Sequence, residues 1–171
     1  MREIEIKILE IDLPSTISKL EKLGAKKTFE GEMSAIYYDY EDRSLSGKGR
    51  LLRLRKKGEK SELTFKEKIT QTDAKVMDEL EVIVDDFDLT QAILKKLGLK
   101  EVKSAQKYRI SYSIGAVHFE LDTLPGIPTF LEIEAPSLDI LKSYVLKLGY
   151  SMKDAKPWSG KDVLKYYDRS T

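Results

Sequence analysis

The sequence predicts an α+β fold in which a closed barrel of about eight β-strands carries helices packed on its outside. Two observations lead to this prediction: the strands alternate charged with apolar residues, and one strand–helix module occurs three times along the chain. With 171 residues, of which 41% are hydrophobic, the chain can bury a sizeable core. We therefore predict a single domain over residues 1–171.

The composition excludes several classes of site. Without cysteine, the chain has no disulfides, no thiolate metal site and no cysteine nucleophile, and the single histidine, His118, cannot build a multi-histidine zinc site. The 30 basic and 29 acidic residues nearly cancel, so we expect neither nucleic acid nor membrane as a partner. The charged start MREIEIKILEID lacks the apolar stretch of a signal peptide, and no run of about 18 apolar residues suggests a membrane helix. We expect a cytoplasmic protein.

A repeated module gives the order of the elements. In each copy, a Glu-x-Glu strand leads into a capped helix start and then an apolar-periodic stretch that ends in Lys-Leu-Gly. From the second glutamate to the glycine the copies span 19, 17 and 15 residues, and they run Glu5 to Gly24, Glu81 to Gly98 and Glu134 to Gly149. Further strands are predicted over residues 26–40, 50–57, 61–69, 101–114 and 116–121. A final helix over 161–168 either closes one end of the barrel or meets the second subunit of a homodimer.

The charged residues of the predicted strands share faces, because side chains alternate along a strand and residues i and i+2 lie on the same side. Each charged face is opposed by an apolar one. The charged faces comprise Glu3, Glu5 and Lys7; Arg53 and Arg55; Lys66 and Lys68; Glu79 and Glu81; Lys107 and Arg109; His118, Glu120 and Asp122; and Glu132 and Glu134. A single strand of this kind is most simply an amphipathic strand with its polar face in water. Seven such strands in one chain favour a different explanation.

The charged faces are expected to point into the barrel. Like charges two residues apart lie only ~7 Å from each other and repel unless an opposite charge lies between them. The helices need apolar faces to pack on, which leaves the charged faces for an interior that holds side chains or one small ligand. Burying so many charges requires compensating partners. Carboxylates favour a hard cation such as Mg²⁺ or Mn²⁺, and lysine and arginine favour a polyphosphate.

Taken in order, these motifs resemble the CYTH domain of the triphosphate tunnel metalloenzymes. The motifs that carry the resemblance are Glu3-x-Glu5-x-Lys7, Arg53-x-Arg55, Leu63-Thr-Phe-Lys66, Glu79-x-Glu81, Lys107-x-Arg109, Asp122 and Phe130-Leu-Glu132-Ile-Glu134. They extend from residue 2 to about residue 150 in the order found in that family. The resemblance implies an eight-stranded antiparallel tunnel that needs Mg²⁺ or Mn²⁺. The family includes class IV adenylyl cyclases, thiamine triphosphatases and inorganic triphosphatases.

The resemblance also implies roles for individual residues. The triphosphate oxygens would be bound by Arg53, Arg55, Lys66, Lys68, Lys107 and Arg109, of which Lys68 departs from the usual family pattern. The metal ligands would be drawn from Glu3, Glu5, Glu79, Glu81, Asp122, Glu132 and Glu134. Lys7 would lie near the catalytic centre, together with Glu5, and either orient a nucleophilic water or contact phosphate.

Three functions are compatible with these residues. The first is a metal-dependent triphosphatase that hydrolyses an inorganic or organic triphosphate. The second is a class IV adenylyl cyclase that converts ATP to cyclic AMP and pyrophosphate, for which the same ion-binding residues would serve. The third is a polyphosphate-binding module without catalysis. In each case the partner is a small-molecule triphosphate or polyphosphate.

Overall fold

The structure is a computed structural model that describes the backbone of residues 2–71 and 73–168 and the side chains of residues 4–69 and 73–168. Within these ranges the strands are β1 (Arg2–Ile8), β2 (Lys26–Asp39), β3 (Arg50–Lys57), β4 (Lys60–Gln71), β5 (Lys75–Val84), β6 (Lys100–Ile114), β7 (Val117–Thr123), β8 (Phe130–Ala135) and β9 (Ala155–Lys156). The helices are α1 (Leu13–Lys22), α2 (Phe87–Lys96), α3 (Leu138–Lys147) and α4 (Gly160–Asp168), with a 3₁₀ helix at Ser46–Lys48. None of these helices is long and apolar enough to cross a membrane.

The strands form one sheet in the order β5-β4-β3-β2-β6-β7-β8-β1-β9, and β5 also pairs with β1. Strands β1 to β8 are therefore hydrogen-bonded in a closed ring, and β9 is a two-residue addition beside β1. The registers of β1 with β8, β2 with β3, β3 with β4, β6 with β7 and β7 with β8 are all antiparallel. The predicted closed eight-stranded antiparallel barrel with helices packed outside is confirmed, and β9 is the strand that the sequence did not indicate.

The three strand–helix modules are also confirmed. At the start of α1, Asp12 Oδ1 accepts a hydrogen bond from the Ser15 amide at 2.8 Å, and Asp86 does the same for Leu89 at the start of α2. The Ser137 hydroxyl caps α3 in this way at 3.3 Å. Just beyond each helix lies a glycine with a φ of 84°, 89° or 83°, which are Gly24, Gly98 and Gly149. A left-handed backbone at this position ends a helix, and glycine adopts it without a steric penalty.

The chain divides into two compact units. The first unit comprises Gly31–Ile69 and Met77–Lys107. The second comprises Arg2–Glu30, Thr70–Val76 and the segment from Tyr108 onward. The single domain over residues 1–171 stays a prediction.

The core of the second unit lies on the apolar faces of β1, β7 and β8. Ile6, Phe119 and Ile133 are fully buried there, with Leu20 of α1 and Leu141 of α3 in the same cluster. Helix α3 packs directly against β8 and β1. This arrangement is the predicted one, because helices cover the apolar faces and the charged residues alternate onto the other side of the strands.

The core of the first unit is smaller and leaves one predicted face uncovered. Leu54 of β3 and Leu94 of α2 are buried in one cluster, and α2 packs against β3. The sequence predicts that helices pack on the apolar faces of the strands, yet Leu80 and Val82 of β5 are 67% and 57% exposed. Alternation assigns these residues correctly to the face opposite Glu79 and Glu81, but it does not determine which element covers that face.

Candidate active site

A buried ion-pair network in the second unit centres on Lys7. Its Nζ lies 3.0 Å from Glu5 Oε1 and 2.5 Å from Glu132 Oε2, and the side chains of Lys7 and Glu5 are only 3% and 5% exposed. Burial alone would lower the pKa of Lys7, but the carboxylates of Glu132 and Glu5 outweigh it and raise the pKa above its ordinary value. Lys7 is therefore held as an ammonium ion at neutral pH. A role that requires Lys7 to accept a proton does not fit this environment.

Arg109 forms the second buried centre of the same unit. Its Nε and Nη2 donate to the two carboxylate oxygens of Asp122, each at 2.6 Å, in a bidentate pair. Glu120 and Glu132 approach the guanidinium at 3.6 Å. Burial opposes the charge, yet Asp122 and these two glutamates raise the pKa of Arg109 well above its usual range. The Ser111 hydroxyl donates to Glu120 and fixes that carboxylate from the neighbouring strand.

Lys75, at the start of β5, completes the network of the second unit. Its Nζ donates to Glu5 Oε1 at 2.8 Å, so this single carboxylate oxygen accepts from the ammonium groups of both Lys7 and Lys75. Lys75 is not part of any of the charged motifs in the sequence. The signal was present, because Lys75 precedes Glu79 by four residues and strand alternation therefore places it on the face of the Glu79-x-Glu81 motif.

Like charges also face each other across neighbouring strands of the second unit. Glu5 lies opposite Glu134 in the β1–β8 register, and Glu120 lies opposite Glu132 in the β7–β8 register. Directly opposed like charges destabilise a sheet unless a cation lies close to them. Lys7 and Arg109 supply part of that charge within the chain.

The carboxylates of the second unit fit a hard divalent cation in their chemistry. The sheet places these carboxylates in opposed pairs, and their oxygens are the ligands that hard cations prefer. Mg²⁺ usually binds one or two carboxylates together with substrate phosphates and water. Among the side chains that the structure describes, no three acidic or histidine groups converge as a complete metal cage would require. The side chain of Glu3, one of the predicted ligands, lies outside the described residues.

The first unit carries its own network of charges on β3, β4 and β5. Arg55 Nε donates to Glu62 Oε2 at 2.6 Å, and its Nη2 lies 3.4 Å from Glu81 Oε2. Lys66 Nζ lies 2.5 Å from Glu79 Oε2 on the neighbouring strand. Acidic and basic side chains of β3, β4 and β5 thus neutralise each other, whereas the sequence pattern predicts bound ions in this role.

Thr64 of β4 links two predicted site residues of the first unit. Its Oγ1 donates to Glu81 Oε2 at 2.9 Å and accepts from Arg53 Nη2 at 3.2 Å. Thr64 is fully buried, so water does not compete with Glu81 or Arg53 for its hydroxyl. Strand alternation places Glu62, Thr64, Ser111 and Glu120 on charged faces, but none of the sequence motifs assigns them a role.

The described ion pairs and hydrogen bonds join ten of the predicted site residues, five in each unit. The second unit joins Glu5, Lys7, Arg109, Asp122 and Glu132, and the first unit joins Arg53, Arg55, Lys66, Glu79 and Glu81. Lys68 is exposed, and Lys107 and Glu134 are half-buried. The assignment of these residues to metal, phosphate or catalysis stays a prediction.

The chain is similar to known proteins over most of its length. The CYTH domain matches residues 1–143. A Methanocaldococcus jannaschii protein named as a candidate adenylate cyclase is 31% identical over 140 residues, which cover 82% of this chain and 80% of that protein.

Two solved structures share the fold. The PH1012 protein of Pyrococcus horikoshii is 29% identical with a TM-score of 0.75, and the match covers 92% of this chain and 96% of that one. A candidate adenylyl cyclase of Hippeastrum, described by its dominant triphosphatase activity, is only 15% identical and shows the fold alone, with a TM-score of 0.68 over 99% of this chain and 96% of that one. Since the domain match spans most of the sequence and agrees with the order of the charged motifs, the chain belongs to the CYTH domain family.

Proposed function

We propose that this protein is a divalent-metal-dependent triphosphatase that hydrolyses an inorganic or organic triphosphate. The observation that carries the proposal is the buried network of Glu5, Lys7, Arg109 and Glu132 in the second unit. Buried ion pairs contribute little to stability compared with apolar packing, so a network of this size is better explained by function. It offers carboxylates for a hard cation and fixed positive charges for phosphate oxygens.

The reaction makes modest demands on the protein. The oxygen of a water molecule bonds to the terminal phosphorus while the bond from phosphorus to the bridging oxygen breaks, and the bridging oxygen leaves with the electron pair on the shorter phosphate chain. The water loses its proton to solvent. Catalysis then depends on an in-line position for the water and on neutralising the phosphoryl oxygens and the leaving group. Lys7, held as an ammonium ion, would orient the water or stabilise this negative charge.

The remaining residues divide between the cation and the phosphates. Mg²⁺ or Mn²⁺ would be held by Glu3, Glu5, Glu132 and Glu134, with Glu79, Glu81 and Asp122 as further candidates. When bound, the ion supplies positive charge to the phosphate oxygens. Arg53, Arg55, Lys66, Lys107 and Arg109 would donate hydrogen bonds to those oxygens. Arginine suits this role because its planar guanidinium binds oxyanions through two parallel hydrogen bonds.

An adenylyl cyclase is the second candidate. The relative from Methanocaldococcus jannaschii carries such a name and is similar over most of its length. In that reaction the ribose 3′-hydroxyl of ATP attacks the α-phosphorus and pyrophosphate leaves, so the same charged residues would serve. The Hippeastrum protein is named as a candidate cyclase and described by a dominant triphosphatase activity, so a cyclase name does not by itself exclude hydrolysis.

A screen of metals against substrates separates these functions. The purified chain is incubated with Mg²⁺ or Mn²⁺ and with tripolyphosphate, thiamine triphosphate or ATP, and inorganic phosphate, pyrophosphate and cyclic AMP are each quantified. We expect metal-dependent release of inorganic phosphate from at least one substrate. Cyclic AMP and pyrophosphate from ATP without inorganic phosphate would instead identify a cyclase. Binding of tripolyphosphate without turnover, unaffected by Glu5→Gln, would identify a binding module.

A further inference from the structure

Two lysines share one oxygen of Glu5. Lys7 Nζ lies 3.0 Å and Lys75 Nζ 2.8 Å from Glu5 Oε1. Hydrogen bonds from an ammonium to a carboxylate are charge-assisted and use the lone pairs through which a carboxylate binds a metal ion. Each lysine therefore competes with a divalent cation for the same oxygen.

The two lysines differ in how firmly they are held. Lys7 is also paired with Glu132 at 2.5 Å and is almost completely buried, so it stays anchored if Glu5 changes partner. Lys75 is 15% exposed, and Glu5 is its ion-pair partner among the described residues. Solvent and phosphate oxygens can reach Lys75 more easily than Lys7. Lys75 is thus the ammonium group that can leave Glu5 at the smaller cost.

We propose that Lys75 sets the affinity of Glu5 for a divalent cation by competing with that cation for Glu5 Oε1. Lys75 acts as a positioning residue: it holds the carboxylate in place and must be displaced from it when the cation binds. This inference rests on the proposed function only in assigning Glu5 as a metal ligand. It predicts that removing the lysine strengthens metal binding, which is the opposite of what loss of a structural residue would do.

The test measures Mn²⁺ binding to the full chain without triphosphate, by electron paramagnetic resonance of free Mn²⁺ and by calorimetry. Lys75→Gln removes the charge, and we expect its Kd for Mn²⁺ to fall about three- to tenfold, as the loss of one nearby unit charge in a partly solvated site suggests. Lys75→Arg keeps the charge and should remain close to the wild type. Lys27→Gln is the matched control, because Lys27 pairs with Glu30 at 2.6 Å on the exposed surface of the same unit.

The results divide clearly. Tighter Mn²⁺ binding in Lys75→Gln alone, with loss of binding in Glu5→Gln, supports the inference. Unchanged or weaker binding in Lys75→Gln overturns it, as does equal tightening in Lys27→Gln, which would indicate only a change in net charge. Mn²⁺ binding that does not depend on Glu5 also overturns it. Phosphate release by the wild type is measured separately, so the proposed function is judged on that result and not on these affinities.

Discussion

The Thr64 hydroxyl donates a hydrogen bond to Glu81 Oε2 at 2.9 Å. Because a hydroxyl has a single proton, the bond to Glu81 determines that Thr64 accepts, and does not donate, in its contact with Arg53 Nη2 at 3.2 Å. The buried hydroxyl therefore orients Arg53 and Glu81, for which the family resemblance implies roles in binding phosphate and metal. We expect Thr64 to support the function of the first unit without touching a ligand itself.

Replacing Thr64 with valine tests this role. The valine is similar in shape but removes both hydrogen bonds, so we expect the free energy of unfolding to fall by about 1–2 kcal/mol. The KM for tripolyphosphate should also rise, since Arg53 loses its fixed orientation, and Thr64→Ser should restore it. Thr16, equally buried and hydrogen-bonded to Tyr150, provides the control. If Thr16→Val raises KM as much as Thr64→Val does, the effect is one of general stability.

Arg53 should contribute to binding substrate, whereas Arg50 on the same strand should not. Arg53 Nη2 lies 3.8 Å from Glu81 on a mostly buried side chain, while Arg50 pairs with Glu67 at the surface. We expect Arg53→Gln to raise KM for tripolyphosphate at least tenfold, because a charge-assisted hydrogen bond to phosphate is lost, on the order of 1.5–3 kcal/mol. Steady-state kinetics of both variants decide this. Equal KM values for Arg50→Gln and Arg53→Gln would contradict it.

The Arg109–Asp122 pair should be the most sensitive point of the second unit for stability. Arg109→Met leaves the buried Asp122 carboxylate without its bidentate partner, and we expect a loss of about 3–5 kcal/mol in the free energy of unfolding. Chemical denaturation measures this loss. The double variant Arg109→Met/Asp122→Leu, which removes both charges, should recover most of it. A double variant no more stable than Arg109→Met would show that the remaining Asp122 carboxylate is not the cause.

Asp39 should make the stability of the first unit depend on pH. Burial raises its pKa, but hydrogen bonds from Ser46, Leu45 and Tyr40 outweigh this and hold the pKa below its ordinary value. A lowered pKa in the folded state gives a stabilisation that is complete above the unfolded pKa of about 3.9 and is lost as pH falls through the folded pKa. The difference in stability between wild type and Asp39→Asn should therefore be largest at neutral pH and shrink below pH about 4. Thermal melts at several pH values measure it.

The sequence predicts which residues lie on the charged faces but not how they pair. Strand alternation is enough to place Glu5 and Lys7 together, and both are buried as expected. The pairing of Lys7 with Glu132 depends on the register of β1 against β8, to which residues far apart in the chain contribute. Lys75 lies outside the sequence motifs, because it stands four residues before the Glu79-x-Glu81 pair. The alternation of side chains along a strand follows from the local sequence. The register between strands and the covering of their faces depend on the tertiary fold.

The charge of Lys7 gives a further prediction, because its two carboxylate neighbours raise its pKa above the ordinary lysine value. A group with a raised pKa keeps its proton up to that pKa, so Lys7 should not produce a titration in the rate profile between pH 6 and 9. Lys7→Met should lower kcat on the order of a hundredfold through loss of charge stabilisation, while Lys7→Arg, which keeps the charge, should retain more activity. The measurement is kcat for tripolyphosphate across this pH range, with circular dichroism to confirm that each variant is folded. A rise in wild-type kcat with an apparent pKa near neutrality that disappears in Lys7→Arg would show instead that Lys7 gives up its proton and acts as a base.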